Sequence, residues 1–463
     1  MRKRGNFVRL SNHLAKKIIV PLMTVSLLTV PVVGLAAEDF TGLTENQVYE
    51  LGNTFVEKHD YSKAIEAYDH ILATNSGWAV VYTKRAKANF FLGNRDLATK
   101  DIETAMSLDR NLPDIYCVKG NMLFLDNDLT GAEQEFNKAL AIKPDYVEAL
   151  TLRGKLYSDM NRLTDAISDL SQALTISPNA VTYVNRAIVY EKVPDISAAN
   201  IDYNRALELD ATYAPAYINR GMISYYQRKF KAARSDFDSA IKYDPNNANA
   251  YTNRGSVYLI EEDFESALND FNKAIELDEK AAMAYNGRGL VNQKTGRYSD
   301  ALHDFDKCIE LAPKYEYGYQ NRALLLREIG VPEKALPDLD KLIAIYPKDG
   351  YAYSAKGCVY LELEQYENAL KEFTKAVELD PKKPDYVFNK AVAESYLKQN
   401  QAAVDDFTAT LKLNDQYVDA YLYRGIVYAS MGMKDEAGRD FDRVIMLDPN
   451  NEKAQKGLKD LKK

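Results

Sequence analysis

Cysteine is scarce in this chain. It holds three in 463 residues, Cys117, Cys308 and Cys358. Cys117 and Cys358 stand far apart in the sequence, so no intramolecular disulfide framework is implied. Cys308 reads as a small buried apolar residue. The four histidines, His13, His59, His70 and His303, show no ligand spacing and none stands near a cysteine in a metal pattern. No glycine-rich loop of the phosphate-cradling kind is present. Nothing marks a nucleophile elbow or a catalytic pair of carboxylates. The chain therefore reads as non-catalytic, without cofactor or metal. Basic charge is also in deficit. Residues 1–37 carry six Lys or Arg and no acid, while the whole chain has net charge −8, so the remainder carries −14. An acidic surface repels phosphate backbones, which argues against nucleic acid and favours basic partners or partners held without charge.

The basic stretch is followed by an apolar one, Ile18 to Ala37, ending Gly34-Leu35-Ala36-Ala37. That order is the layout of a secretory signal with a small-residue cleavage site. About 20 apolar residues also suffice to span a bilayer, so an uncleaved anchor is the alternative, and a membrane is a partner only in that case. Pro31 and Gly34 favour cleavage, and the first cysteine, Cys117, lies too far on for a lipid-anchored thiol. The chain is expected to be exported, to a periplasmic, cell-envelope or extracellular location.

What is abundant is repetition. Alanine recurs at Ala64, Ala98, Ala132, Ala166, Ala199, Ala233, Ala267, Ala301, Ala335, Ala369, Ala403 and Ala437, in steps of 34 residues with a single step of 33 after Ala166. Twelve residues before each stands Gly or Ala, as in Gly120, Gly221 and Gly289. Paired small residues at fixed spacing mean two helices crossing closely, and a fixed period in this range means a solenoid. Places within a repeat are numbered 1 to 34, with the Gly or Ala at place 8 and the fixed Ala at place 20. Place 4 is mostly Tyr, place 24 mostly aromatic, and place 32 often Pro. Places 4, 8 and 11 share one helical face, and so do 20, 24 and 27. Two amphipathic helices per repeat follow, A then B, each pair closed by a turn at the Pro. Pro113 and Pro384 suit the first position of a helix, whereas Pro337 falls inside a helix B and should kink it.

This spacing of Tyr, Gly, Ala, aromatic and Pro resembles the tetratricopeptide repeat, over residues 45–451. The resemblance implies an all-α, right-handed superhelical solenoid of about twelve helix-turn-helix repeats. Residues 452–463 read as a capping helix, with Ala454, Leu458 and Leu461 on its inner stripe and its lysines toward water. It also implies a protein-binding scaffold whose A helices line a concave groove.

Two recurrences carry more than the family pattern. Place 7 is basic and place 23 acidic in the same eleven repeats. The central pairs are Arg153/Asp169, Arg186/Asp202, Arg220/Asp236, Arg254/Asp270 and Arg288/Asp304, and only repeat one lacks both. Since the family favours an apolar place 7, an ion pair between helices A and B of one repeat is expected. Copying by duplication without contact is the other account. Every Arg repeat carries Asp, while two of the three Lys repeats carry Glu.

The second recurrence is Asn at place 6: Asn185, Asn219, Asn253, Asn321 and Asn389, with Gly287 breaking the row. It resembles the asparagine ladder in the superhelical domain of O-GlcNAc transferase, which implies that the amides hold the backbone of an extended peptide. An amide donates and accepts, so it suits any peptide sequence. Asn as ordinary family background is the other account. Ile188, Ile218, Met222, Tyr225 and Tyr226 lie beside the row as candidate side-chain anchors, or as core. No repeat has Lys at place 5, so the two-carboxylate clamp of heat-shock adaptors in the family is absent. The expected function is a scaffold for a protein or extended peptide. A self-associating structural component of the envelope and a regulatory subunit of an envelope enzyme are the alternatives.

Overall fold

The computed structural model describes residues 40–462; the expected signal or anchor segment lies outside them. Among the described residues there are twenty-five α-helices, one short 3-10 turn and no strand. The architecture is an all-α solenoid of helix pairs, in two compact units that meet between Pro245 and Asn246. The first holds repeats one to six, the second repeats seven to twelve and a last helix, Glu452–Leu461. No described helix is long and apolar enough to cross a membrane.

Each repeat follows from local chemistry. Several helix A to helix B turns pass through one left-handed residue, glycine at Gly93 (φ 85°) and asparagine at Asn127 (φ 64°). That conformation ends a helix by redirecting its last carbonyls. Helix B then often starts on an aspartate: the Asp128 carboxylate accepts from the Gly131 N–H and Asp195 from the Ala198 N–H. Such caps satisfy N–H groups that the helix itself leaves unpaired. Place 8 is small because the place 24 ring lies on it. A Cβ on Gly120 would come within 2.8 Å of the Phe136 ring. The fixed alanines and most place 24 aromatics are fully buried.

Pro337 acts differently from the sequence expectation. It does not kink a continuous helix. The first turn is a 3-10 segment, Pro332–Ala335, and the α-helix proper begins at Leu336 and runs to Ile345. Pro337 thus sits in the first turn of a shortened helix, where its missing N–H has no intrahelical acceptor to lose. The last helix buries Ala454 and packs Leu458 and Leu461 on the Phe441 core, while Lys453, Lys456 and Lys459 are exposed.

Within each unit the A helices of neighbouring repeats approach one another closely, as Pro113–Leu125 does Val147–Asp159, whereas no two B helices do. The A helices are therefore the inner row of each unit. In the first unit Lys87, at place 9 of repeat two, reaches over repeat three to Glu148, at place 2 of repeat four, with Nζ and Oε1 3.0 Å apart. Only the inner side of a curved array brings every second repeat so close.

Candidate functional site

All eleven place 7 cations lie within 3.2 Å of the place 23 carboxylate of their own repeat. In the Arg repeats the fork is two-pronged. Arg186 donates from Nε to Asp202 Oδ2 (2.7 Å) and from Nη2 to Asp202 Oδ1 (2.8 Å). The same geometry holds Arg153 to Asp169, Arg220 to Asp236, Arg254 to Asp270 and Arg424 to Asp440. A short aspartate suits a planar fork that comes to meet it, whereas Lys119 and Lys356 offer a point charge that the longer Glu135 and Glu372 reach. The carboxylates are nearly all buried.

The pattern of places 7 and 23 hides a third contact. The remaining Arg nitrogen, Nη1, donates to place 25 of the preceding repeat: Arg153 to Asn137 Oδ1 (2.6 Å), Arg186 to Ser171 Oγ (3.0 Å), Arg288 to Asn272 Oδ1 (2.9 Å) and Arg424 to Thr408 Oγ1 (2.9 Å). Each of these four arginines thus joins the two helices of its repeat and stitches that repeat to its predecessor. Where place 11 is Asn in place of an apolar residue, it joins the same carboxylate: Asn292 Nδ2 donates to Asp304 Oδ2 at 2.8 Å.

The asparagine row divides. Asn321 and Asn389 are buried and used inside the protein. Asn321 Nδ2 donates to Asn286 Oδ1 (2.8 Å) and Asn389 Nδ2 to Ser354 Oγ (3.3 Å). Both partners stand at place 5 of the preceding repeat, where Asn286 and Ser354 capture the amide and close it to a peptide; Thr151, at that place before Asn185, bonds to Thr182 instead. Asn185, Asn219 and Asn253 are half-buried, and their side-chain amides have no hydrogen-bonding partner among the described residues. Place 5 before Asn219 is Val184, which has nothing to offer. Asn185 and Asn219 stand at corresponding places of successive A helices in the first unit; Asn253 belongs to the second. Gly287 breaks the row for a steric reason: a Cβ there would come within 2.3 Å of the Phe271 ring.

The candidate anchors are also unequal. Ile218 and Met222 are buried in the core. Ile188 packs on the Val184 and Tyr203 core. Tyr225 is half-buried, edge-on to Phe230 with ring centroids 5.9 Å apart, and Tyr226 is 44 % exposed.

Models of the tetratricopeptide repeat match residues 113–146, 147–179, 214–247, 248–280, 282–315, 350–383 and 418–451. The chain belongs to the tetratricopeptide repeat family. Tetratricopeptide repeats generally act as protein-interaction scaffolds. RNA polymerase II-associated protein 3 of Xenopus tropicalis is 31 % identical over 100 residues, 22 % of this chain and 15 % of that protein. Small glutamine-rich tetratricopeptide repeat-containing protein 2 of Mycosarcoma maydis is 32 % identical over 93 residues, 20 % of this chain and 26 % of that protein. The chain thus spans only a small part of the length of these relatives. Among solved structures, Cut9 with Hcn1 of the APC/C is 15 % identical with TM-score 0.47, covering 90 % of this chain and 96 % of that one. A tetratricopeptide repeat protein from Parabacteroides merdae is 23 % identical with TM-score 0.42, covering 54 % and 97 %.

Three inner-row lysines of the first unit are paired with acids of other repeats. Lys84 lies 4.0 Å from Asp114, Lys87 3.0 Å from Glu148, and Lys192 3.7 Å from Asp159. Burial is the largest single effect on both groups and opposes their charges, but at Lys87 the Glu148 carboxylate and other nearby groups raise the pKa, and at Glu148 Lys87, Lys84 and the Tyr146 hydroxyl together lower it. All three cysteines are buried, and burial pushes the Cys358 thiol up to about 11, away from thiolate chemistry. Among the described residues no group of His, Cys, Asp and Glu is arranged to hold a metal ion.

Proposed function

We propose that this chain is a non-catalytic scaffold that holds an extended segment of a partner polypeptide along its inner row, near Asn185 and Asn219. The observation that carries this reading is the pair of unengaged amides on successive A helices, on a stretch of inner row almost without charge. In repeats five and six the inner places hold only Glu191 and Lys192 as charges. Glu191 accepts from the Tyr203 hydroxyl, and Lys192 donates to the Ser158 carbonyl at 2.9 Å. Peptide N–H and C=O groups can exchange hydrogen bonds with the amides whatever the sequence, while Tyr226 offers an exposed aromatic surface.

Each such bond contributes about 0.5–1.5 kcal/mol net. Changing Asn185, Asn219 and Asn253 together to Ala is therefore expected to weaken partner binding at least about tenfold. Helical content and melting temperature should stay at the parent values, because these side-chain amides bond to none of the described residues. Crosslinked pull-down from the native host, parent against triple variant, measures this; equal recovery of the partner moves the binding face elsewhere.

The scaffold works outside the cytoplasm on this reading, supported by the basic, apolar and small-residue order of residues 1–37. Protein purified from the host should begin near Ala37 or Glu38. N-terminal sequencing decides it, and an intact Met1 start with membrane retention would mean an anchor.

A further inference from the structure

The single 33-residue step has a structural consequence on the inner row of the first unit. At the other junctions of that unit, place 34 is a large apolar residue at the start of helix A: Trp78, Leu112, Tyr146 and Tyr213. Each packs into the core between one repeat and the next. Between repeats four and five that residue is missing. Pro144 is followed by Asp145-Tyr146 before its helix A, but Pro178 only by Asn179. Asn179 caps the helix instead, its side-chain oxygen accepting from the Thr182 N–H at 2.9 Å. With no ring to fill the junction, an open concavity of about 660 Å³ remains. Ile176 and Val181 on its wall are 42 % and 47 % exposed.

We infer that this concavity is an anchor pocket for one large apolar side chain, aromatic or branched aliphatic, on an uncharged extended segment of a partner polypeptide. The inference rests on the groove reading above and adds the chemistry of what is bound. Charge balance selects the occupant. Two acids line it: Glu148 is held by Lys87 at 3.0 Å, while Asp145 stands exposed at the rim with Lys143, whose Nζ lies 5.5 Å from the centre of the Tyr146 ring. The hydroxyls of the wall, Thr151 and Thr182, bond to each other at 3.0 Å. The rim carries one exposed charge of each sign, Lys143 and Asp145, so it favours neither, and a charged side chain seated against the apolar wall behind it would lose its hydration. An apolar one would cover Val147, Leu152, Ile176 and Val181. Val181 and Asn185 stand four residues apart on one helix face, so a backbone bonded to Asn185 passes the mouth of the pocket.

The test uses the recombinant full chain and a phage-displayed library of random twelve-residue peptides, with affinities of enriched peptides measured by fluorescence anisotropy. Two variants close the pocket. Val181→Asp puts a charge on an exposed wall position, in the first turn of a helix where an acid is tolerated. Inserting one tyrosine after Asn179 restores the 34-residue step and the missing ring. Enriched peptides should share an uncharged run with a large apolar residue, and both variants should weaken them at least tenfold with melting unchanged. Peptides that lose affinity with Asn185→Ala/Asn219→Ala but not with either pocket variant would overturn the pocket and leave the groove reading standing. Peptides insensitive to all the variants would overturn both. Enrichment of charged peptides, or no enrichment over bare support, also overturns the pocket.

Discussion

Arg186→Ala is expected to destabilise the first unit by about 3–5 kcal/mol, because it strands a buried carboxylate. Asp202 is 2 % exposed and takes both prongs of the Arg186 fork. Removing the guanidinium leaves that charge without its partner, and also frees Ser171 Oγ on the preceding repeat. Arg186→Lys should fall between parent and Ala, since an ammonium keeps the charge but not the fork. The contrast is Arg205→Ala. Arg205 pairs with Glu208 at 2.6 Å, but both side chains are about 60 % exposed. Such an exposed, water-screened pair contributes little to stability. Urea unfolding followed by circular dichroism separates the two, and equal losses at Arg186 and Arg205 would refute a structural role for the buried pairs.

Phe271→Ala is expected to cost the second unit about 3–5 kcal/mol, the usual range for a deleted buried ring. Phe271 is fully buried and lies between two glycines, Gly255 of its own repeat and Gly287 of the next. Built Cβ atoms would come within 3.0 Å and 2.3 Å of it, respectively. The same ring makes Gly287→Asn, the change that would complete the asparagine row, unfavourable by about 1–3 kcal/mol or more through overpacking. Thermal unfolding measures both. A neutral Gly287→Asn would mean that the ring yields, and that the gap in the row has no steric cause.

Much of this was open to reading in the sequence. The helix pairs were, because one small-residue place faces one aromatic place in copy after copy. The ion pairs were, because Leu51 and Ala67 lose both partners together in repeat one while eleven repeats keep both. The third arginine contact was not, since its acceptors at place 25 vary among Asn, Ser, Thr and Asp, and only their common place shows what they share. Residue type at place 6 was a poor guide to the groove. Asn219 and Asn321 occupy the same place, yet one amide is unengaged and the other is bonded to Asn286. The signal that separates them stands at place 5 of the repeat before, Val184 in one case and Asn286 in the other. Met222 read by spacing as an anchor or as core, and it is buried.

By itself the sequence determined the repeat length, the helix pairing, the crossing of small on aromatic residues and the partners of eleven cations. All of these act within about 34 residues and recur, so each copy checks the others. Tertiary structure alone decided which amides are open, that Lys87 reaches Glu148 over a whole repeat, and that the shortened step leaves a pocket beside Val181. These depend on how consecutive repeats lean on one another. That lean is set by the side chains at each junction, and no single repeat contains both sides of a junction.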